Sequence, residues 1–187
     1  RSAMYNYAWA SRRFWDNFEK PAIFGEAGAD LTYFDPKDEN YHISYHNQIW
    51  ASMTNGLAAT TVWWDYTVLT EKDWDQLQIL SEFVEDIDFA NKAFAPLASV
   101  SDGMDTYVMG TSEEAFAWCR AAFERCVCEK SLQVEGLTDG SYEITWFDPW
   151  KGDIISISKV KSKKGVMKLN IPKLEELLPD IAFKVNK

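Results

Sequence analysis

The hydrophobic period of this 187-residue chain changes once, near Val100, and that change limits the folds open to it. Before that point, apolar residues at helical spacing alternate with short continuous apolar runs. After it, apolar residues tend to alternate with polar ones between turn signals. Two units of different class are therefore expected, 1–98 and 99–187.

In the first unit, Tyr5 to Phe18 reads as a helix with Ala8, Phe14, Trp15 and Phe18 as its apolar stripe. Lys20-Pro21 ends it, because proline disfavours helix in the residue before it. Ala22 to Gly25 is a short apolar run of the kind found in buried parallel strands, and Glu26 closes it. Ala29 to Tyr45 is polar and turn-rich and reads as a long loop, a feature that is often functional inside a compact domain. His46 to Asn55 reads as a second helix, with Gly56 as its stop. Ala58 to Trp64 is a second strand-like run. Thr70-Glu71-Lys72-Asp73 has the form of a capping box, with Asp73 in place of the usual Glu, and opens a third helix.

The order helix, strand, helix, strand, helix is that of a parallel α/β sheet or barrel. Two strands finish neither, so their apolar faces and edges call for self-association or a partner chain. The opening Arg1-Ser2-Ala3-Met4-Tyr5 reads as the inside of a longer protein.

The second unit offers strands at Thr106–Met109, Ala115–Cys119, Leu132–Gly136, Tyr142–Phe147, Ile154–Ser158, Val166–Asn170 and Ile181–Val185. Asp139-Gly140 and Pro149-Trp150-Lys151-Gly152 mark tight turns. Strands at this spacing suggest an antiparallel β-sandwich.

Composition excludes some partners. A net charge of −10, most of it in the first unit, argues against nucleic acid, which needs clustered Lys and Arg. No apolar run approaches the ~18 residues of a membrane span. Nine Trp serve either as core or as platforms for the apolar faces of sugar rings. Cys119, Cys126 and Cys128 are odd in number, so they demand no disulfide framework, and Cys-x-Cys without His is a weak metal signal. Structural or free thiols fit better than a metal site.

Chemistry is expected at the C-terminal ends of the two parallel runs, where barrel enzymes hold reacting groups. Glu26 has that place: apolar strand, carboxylate, then Gly28 and the long loop. An ordinary loop Glu has the same local signature. The second run ends Val62-Trp63-Trp64-Asp65-Tyr66. Adjacent strand side chains face opposite ways, so one Trp faces the barrel axis and the other the outer helices, and parity alone leaves open which. Both could instead be packing. His46, opening a helix after the long loop, could reach the site or sit at the surface. Asp65 and Tyr66 lie past the strand end, able to line a cleft, while Asp30 and Asp35 suit loop turns.

The runs Pro21 to Gly28, His46 to Gly56 and Thr61 to Tyr66 together resemble the last quarter of cellulase-like glycoside hydrolases, the family 5 type of the large (β/α)8 clan. The later runs Gly136 to Gly140, Tyr142 to Pro149 and Asp180 to Phe183 are similar to the small β-sandwich that follows such barrels. The resemblance implies the last quarter of a (β/α)8 barrel followed by an antiparallel β-sandwich. It implies a retaining mechanism on a β-linked polysaccharide of the cellulose, β-glucan or mannan class, with no cofactor and no metal. Glu26 then takes the nucleophile position, and Trp63 or Trp64 the sugar platform, with His46 and Tyr66 beside them. The family's acid/base sits in an Asn-Glu pair after strand four, and no Asn-Glu occurs here. A missing N-terminal barrel portion is thus implied as partner, and a secreted, cell-surface or periplasmic location. The competing reading is a non-catalytic carbohydrate-binding or structural β-sandwich module with a barrel remnant. Trp150, set in a turn, would then be a sugar platform, with Trp118 and Trp146 as further candidates.

Overall fold

A computed structural model of the chain describes residues 3–28, 35, 37–61, 63–122, 126–127, 130–172 and 179–187. The chain folds as two compact units, Arg1–Asp86 and Ile87–Lys187, so residues 87–98 belong with the second.

Among its described residues the first unit holds three α-helices: α1 (Ala3–Phe18), α2 (Glu39–Thr54) and α3 (Glu71–Val84). The inner stripe of α1 is Tyr7, Ser11 and Trp15, one residue per turn; of the predicted Ala8, Phe14, Trp15 and Phe18, only Trp15 belongs to it. Tyr7 and Ser11 are buried, whereas Phe14 and Phe18 are exposed. The Ser11 hydroxyl donates to the Asn55 carbonyl at 2.6 Å, and the Trp15 indole N–H to the Gly56 carbonyl at 2.7 Å. Both acceptors lie just past α2, where helix carbonyls lack intrahelical partners.

Helix α2 begins seven residues earlier than the sequence pattern suggests. Asp38 caps it, accepting from the Asn40 N–H at 2.9 Å. Much of the predicted loop is therefore helix. Tyr41, Tyr45 and Ile49, at four-residue spacing, are all fully buried along it. The predicted capping box of α3 is present: the Thr70 N–H and hydroxyl both donate to one Asp73 oxygen, at 2.8 and 2.9 Å.

The two apolar runs are parallel, as expected, but among the described residues they form no continuous ladder and meet at one parallel bridge, Ala22 to Leu57. The Ala58 N–H donates to the Ala22 carbonyl at 2.9 Å, and the Trp64 N–H to the Ala27 carbonyl at 2.6 Å. Between these points α2 takes over. The Thr61 N–H donates to the Ser52 hydroxyl at 3.1 Å, and the Thr60 hydroxyl to the Ile49 carbonyl at 3.0 Å. The Ser52 hydroxyl of the neighbouring helix thus binds a backbone N–H that a longer sheet would pair.

The second unit is a nine-stranded antiparallel sheet: β1 (Ala95–Pro96), β2 (Ser99–Ser101), β3 (Met104–Gly110), β4 (Glu114–Ala121), β5 (Ser131–Glu135), β6 (Gly140–Phe147), β7 (Ile154–Lys163), β8 (Val166–Asn170) and β9 (Asp180–Asn186). The order is β1-β3-β4-β9-β6-β7-β8-β5-β2. The two ends of that order, β1 and β2, are neighbours in the chain. Residues 95–101 pair first with β3 and then with β5, and the Leu97 and Glu135 N–H groups continue both ladders. Hydrogen bonding therefore joins all nine strands into one curled sheet, where the sequence reading expected two sheets of a sandwich. Strands β7 and β8 meet only beside their turn, at Ser162–Met167 and Lys163–Val166, so the sheet opens there.

Close approach at the β1 end depends on Gly110. A Cβ there would lie 2.6 Å from the Leu97 side chain and 2.7 Å from the Glu114 carbonyl. The β7–β8 turn is Lys164-Gly165, both with positive φ, as a two-residue hairpin requires. Alternation along β6 is as predicted: Tyr142, Ile144 and Trp146 are buried in the core. Trp146 packs on Phe183 of β9, ring centroids 5.1 Å apart.

Candidate active site

The bond from the Trp64 N–H to the Ala27 carbonyl sets the ends of the two parallel segments side by side. Glu26 precedes Ala27 and is exposed, so its carboxylate is open to a ligand. Trp64 lies directly across from Ala27.

The structure resolves the parity of the Trp pair. Trp63 is 3% exposed and packs edge-on against Tyr41 and Tyr45, with centroids 4.4 and 4.9 Å away. Its indole N–H donates to Gln48 Oε1 at 2.6 Å, and Gln48 Nε2 donates to the Thr61 hydroxyl at 3.0 Å. Trp63 thus faces α2. Trp64 faces away and is 72% exposed.

Past Trp64 the chain makes a 3₁₀ turn, Tyr66–Val68, capped by Asp65. Asp65 Oδ1 accepts from the Thr67 N–H at 3.1 Å and from its hydroxyl. The turn leaves Tyr66 exposed, on the chain just beyond Trp64. The site thus presents a carboxylate, an indole face and a phenol.

His46 is not in this group. Because α2 starts at Glu39, His46 lies in mid-helix rather than opening it. It is fully buried, with Nδ1 2.5 Å from Gln76 Oε1 of α3. It sits buried between the two helices, not at the surface.

A polar hub behind the site was missed by sequence reasoning. Asp73 is 1% exposed; besides Thr70 it meets His42 Nδ1 at 2.8 Å. The neighbouring phenols respond. Burial first, then the charges of Asp73 and Asp65, push the Tyr41 hydroxyl up to about 12. Burial, then Asp73 and Tyr41, raise that of Tyr45 as well. Both rings stay neutral and serve to wall in Trp63. The spacing 41-45-49 was the signal for this wall, but it lay in a stretch read as loop.

In the second unit, Trp118 and Trp146 are 0% and 2% exposed and offer no face to a sugar. Trp150 is half-buried. Its indole N–H donates to Asp180 Oδ1 at 2.7 Å, while that of Trp118 donates to Asp180 Oδ2 at 2.6 Å. Asp148 accepts from the Trp150 and Lys151 N–H groups, forming the predicted turn. Cys119 is a buried free thiol, pushed up to about 12 by desolvation and unreactive as a thiolate. Cys126 is disulfide-bonded, a pairing the odd cysteine count left open. Asp30 and Cys128 lie outside the described residues.

No protein-family model matches the sequence, and no curated protein matches it. Solved structures do. A glycoside hydrolase aligns with 98% of the chain at TM-score 0.58 and 12% identity. A family 5 glycoside hydrolase from Bacteroides vulgatus ATCC 8482 aligns with 97% at TM-score 0.57 and 12% identity. A family 30 endoxylanase from Clostridium papyrosolvens C71 aligns with 83% at TM-score 0.48, too low to carry weight. At such identities the likeness is one of fold. The chain spans 46% and 44% of the first two structures, under half of their length.

Proposed function

We propose that this chain is the nucleophile-bearing part of a retaining glycoside hydrolase acting on β-linked polysaccharide. The observation that carries the reading is the pairing of two parallel segments that end in exposed Glu26 and exposed Trp64. The fold likeness to glycoside hydrolases supports it.

In this reading the Trp64 indole floors a sugar ring, and Glu26 attacks the anomeric carbon. Tyr66 contacts the sugar from the turn beyond. Trp63 holds the segment in place from behind. Retaining enzymes set two carboxyl groups roughly 5–5.5 Å apart, one as nucleophile and one as acid/base. Asp65, the nearest carboxylate in sequence to Trp64, is engaged as a turn cap, so the acid/base comes from outside these residues, from an N-terminal barrel portion or a companion copy. The exposed apolar residues Trp9, Phe14, Phe18 and Ile23 suit a surface such a companion would cover. A secreted or cell-surface location follows from the substrate.

A nucleophile without its acid partner still attacks sugars whose leaving group needs no proton. The test is incubation with dinitrophenyl 2-deoxy-2-fluoro-β-glycosides, followed by intact mass and peptide mapping. One glycosyl adduct on Glu26, absent in Glu26→Gln, is the expected result. No adduct, or an adduct that persists in Glu26→Gln, sinks the assignment. Robust polysaccharide hydrolysis by the chain alone would remove the companion from the proposal.

A further inference from the structure

The second unit carries an open groove of about 530 Å³ on the outer side of β2, β5 and β8. Its construction follows from strand parity. Leu132, Val134, Met167 and Leu169 point into the core, so the alternate residues of β5 and β8 point outward. Val100, Gln133 and Lys168 form one cross-strand row, and Ser131 and Asn170 pair in another. Asp102 stands at the end of β2, on the rim.

This surface is rigid, because its backbone is hydrogen-bonded through three strands and its rear is packed core. Its chemistry is mixed. Gln133 and Asn170 bring amides, Ser131 a hydroxyl, Asp102 an acceptor and Lys168 a donor. Among the described lining residues one acidic and one basic side chain balance, which favours neither a phosphate nor a metal cation. Val100 is 65% exposed and adds an apolar patch. A ligand with hydroxyls that both donate and accept, and with C–H faces, satisfies all of these groups. The volume falls within the ~300–1,000 Å³ of small-ligand sites.

We infer that the β2–β5–β8 groove of the second unit is a glycan-binding site, taking a short stretch of neutral oligosaccharide. The choice of glycan as ligand rests on the glycosidase reading, but the groove is a separate site. It would hold polysaccharide to the protein through the second unit without any Trp platform.

The test is an NMR titration of the ¹⁵N-labelled chain with cellohexaose, xylohexaose and mannohexaose, with inorganic phosphate as control. Amide shifts at Val100, Gln133, Lys168 and Asn170 with at least one sugar, and none with phosphate, are expected. Gln133→Ala with Asn170→Ala should weaken binding about tenfold or more, and Trp64→Ala should leave the groove shifts unchanged. Lys168→Ala, on the same exposed row, is a second variant should the first misfold. Shifts confined to the Trp64 region would overturn the groove while supporting the glycosidase reading. Loss of the Glu26 adduct with groove shifts intact would do the reverse. No shift in β2, β5 or β8 with any sugar, or a response to phosphate instead, ends this inference.

Discussion

The two units of this chain solve the same problem to different extents. In the second, residues 95–101 link the two ends of the strand order, and among the described residues nineteen buried ones form one core. In the first, two parallel segments meet at one bridge, and Trp9, Phe18, Ile23, Trp64 and Tyr66 are each more than 60% exposed. The contrast teaches that a helix layer can be held by side chains alone when its sheet is short. Gln48, Ser52, Tyr41 and Asp73 do for the first unit what strand ladders do for the second.

That contrast makes the units separable on heating, and large-to-small changes should separate them most. Phe183→Ala removes a fully buried ring from the sheet core and should cost about 3–5 kcal/mol. Trp63→Ala empties the space behind the candidate site at a similar cost, about 3–5 kcal/mol. Calorimetry should show two transitions, each variant lowering a different one. A single transition shifted equally by both would erase the distinction.

Asp73→Ala comes next. It leaves His42 and two Thr70 groups without their acceptor and should lower only the helical transition, by about 2–3 kcal/mol. If the sheet transition moved as well, the hub would not be local to its unit.

A pH effect of smaller size sharpens the point. Tyr41 holds its proton more tightly folded, near 12, than its ordinary value of 10.0. The stabilisation is complete below about 10 and is lost as pH rises through about 12, because the unfolded phenol ionises first. The helical transition should fall over that window. Tyr41→Phe should blunt the fall, measured as melting temperature against pH.

How much of this was legible in the sequence follows the same divide. Tyr142, Ile144 and Trp146 announced the core face of β6, because period two survives burial on one side. The sheet closure was hidden. Ala95-Pro96 is too short to read as a strand, and proline suits it only as an edge. In the first unit, residues 39–45 looked like loop because Tyr41, His42 and Tyr45 are polar in name. Their rings are buried, and only helical spacing betrayed them. The start of α2 was therefore misplaced, and with it His46. Glu26 was marked by its place after an apolar run. The Trp pair could not be resolved, since parity needs to know which face a helix covers.

The smallest expected stability effect is the most useful for the site. Trp64 is 72% exposed, so Trp64→Ala should change folding stability by no more than about 0.5 kcal/mol. A large apolar residue that does not help the fold is free to serve a ligand. In the proposed site the same change removes the floor under the sugar, so labelling of Glu26 by the fluoroglycoside should slow about tenfold or more, as loss of ~1.4 kcal/mol of stacking implies. Stability unchanged and labelling slowed would separate Trp64 from its buried neighbour Trp63. Labelling unchanged would return Trp64 to the exposed apolar surface and leave Glu26 without its platform.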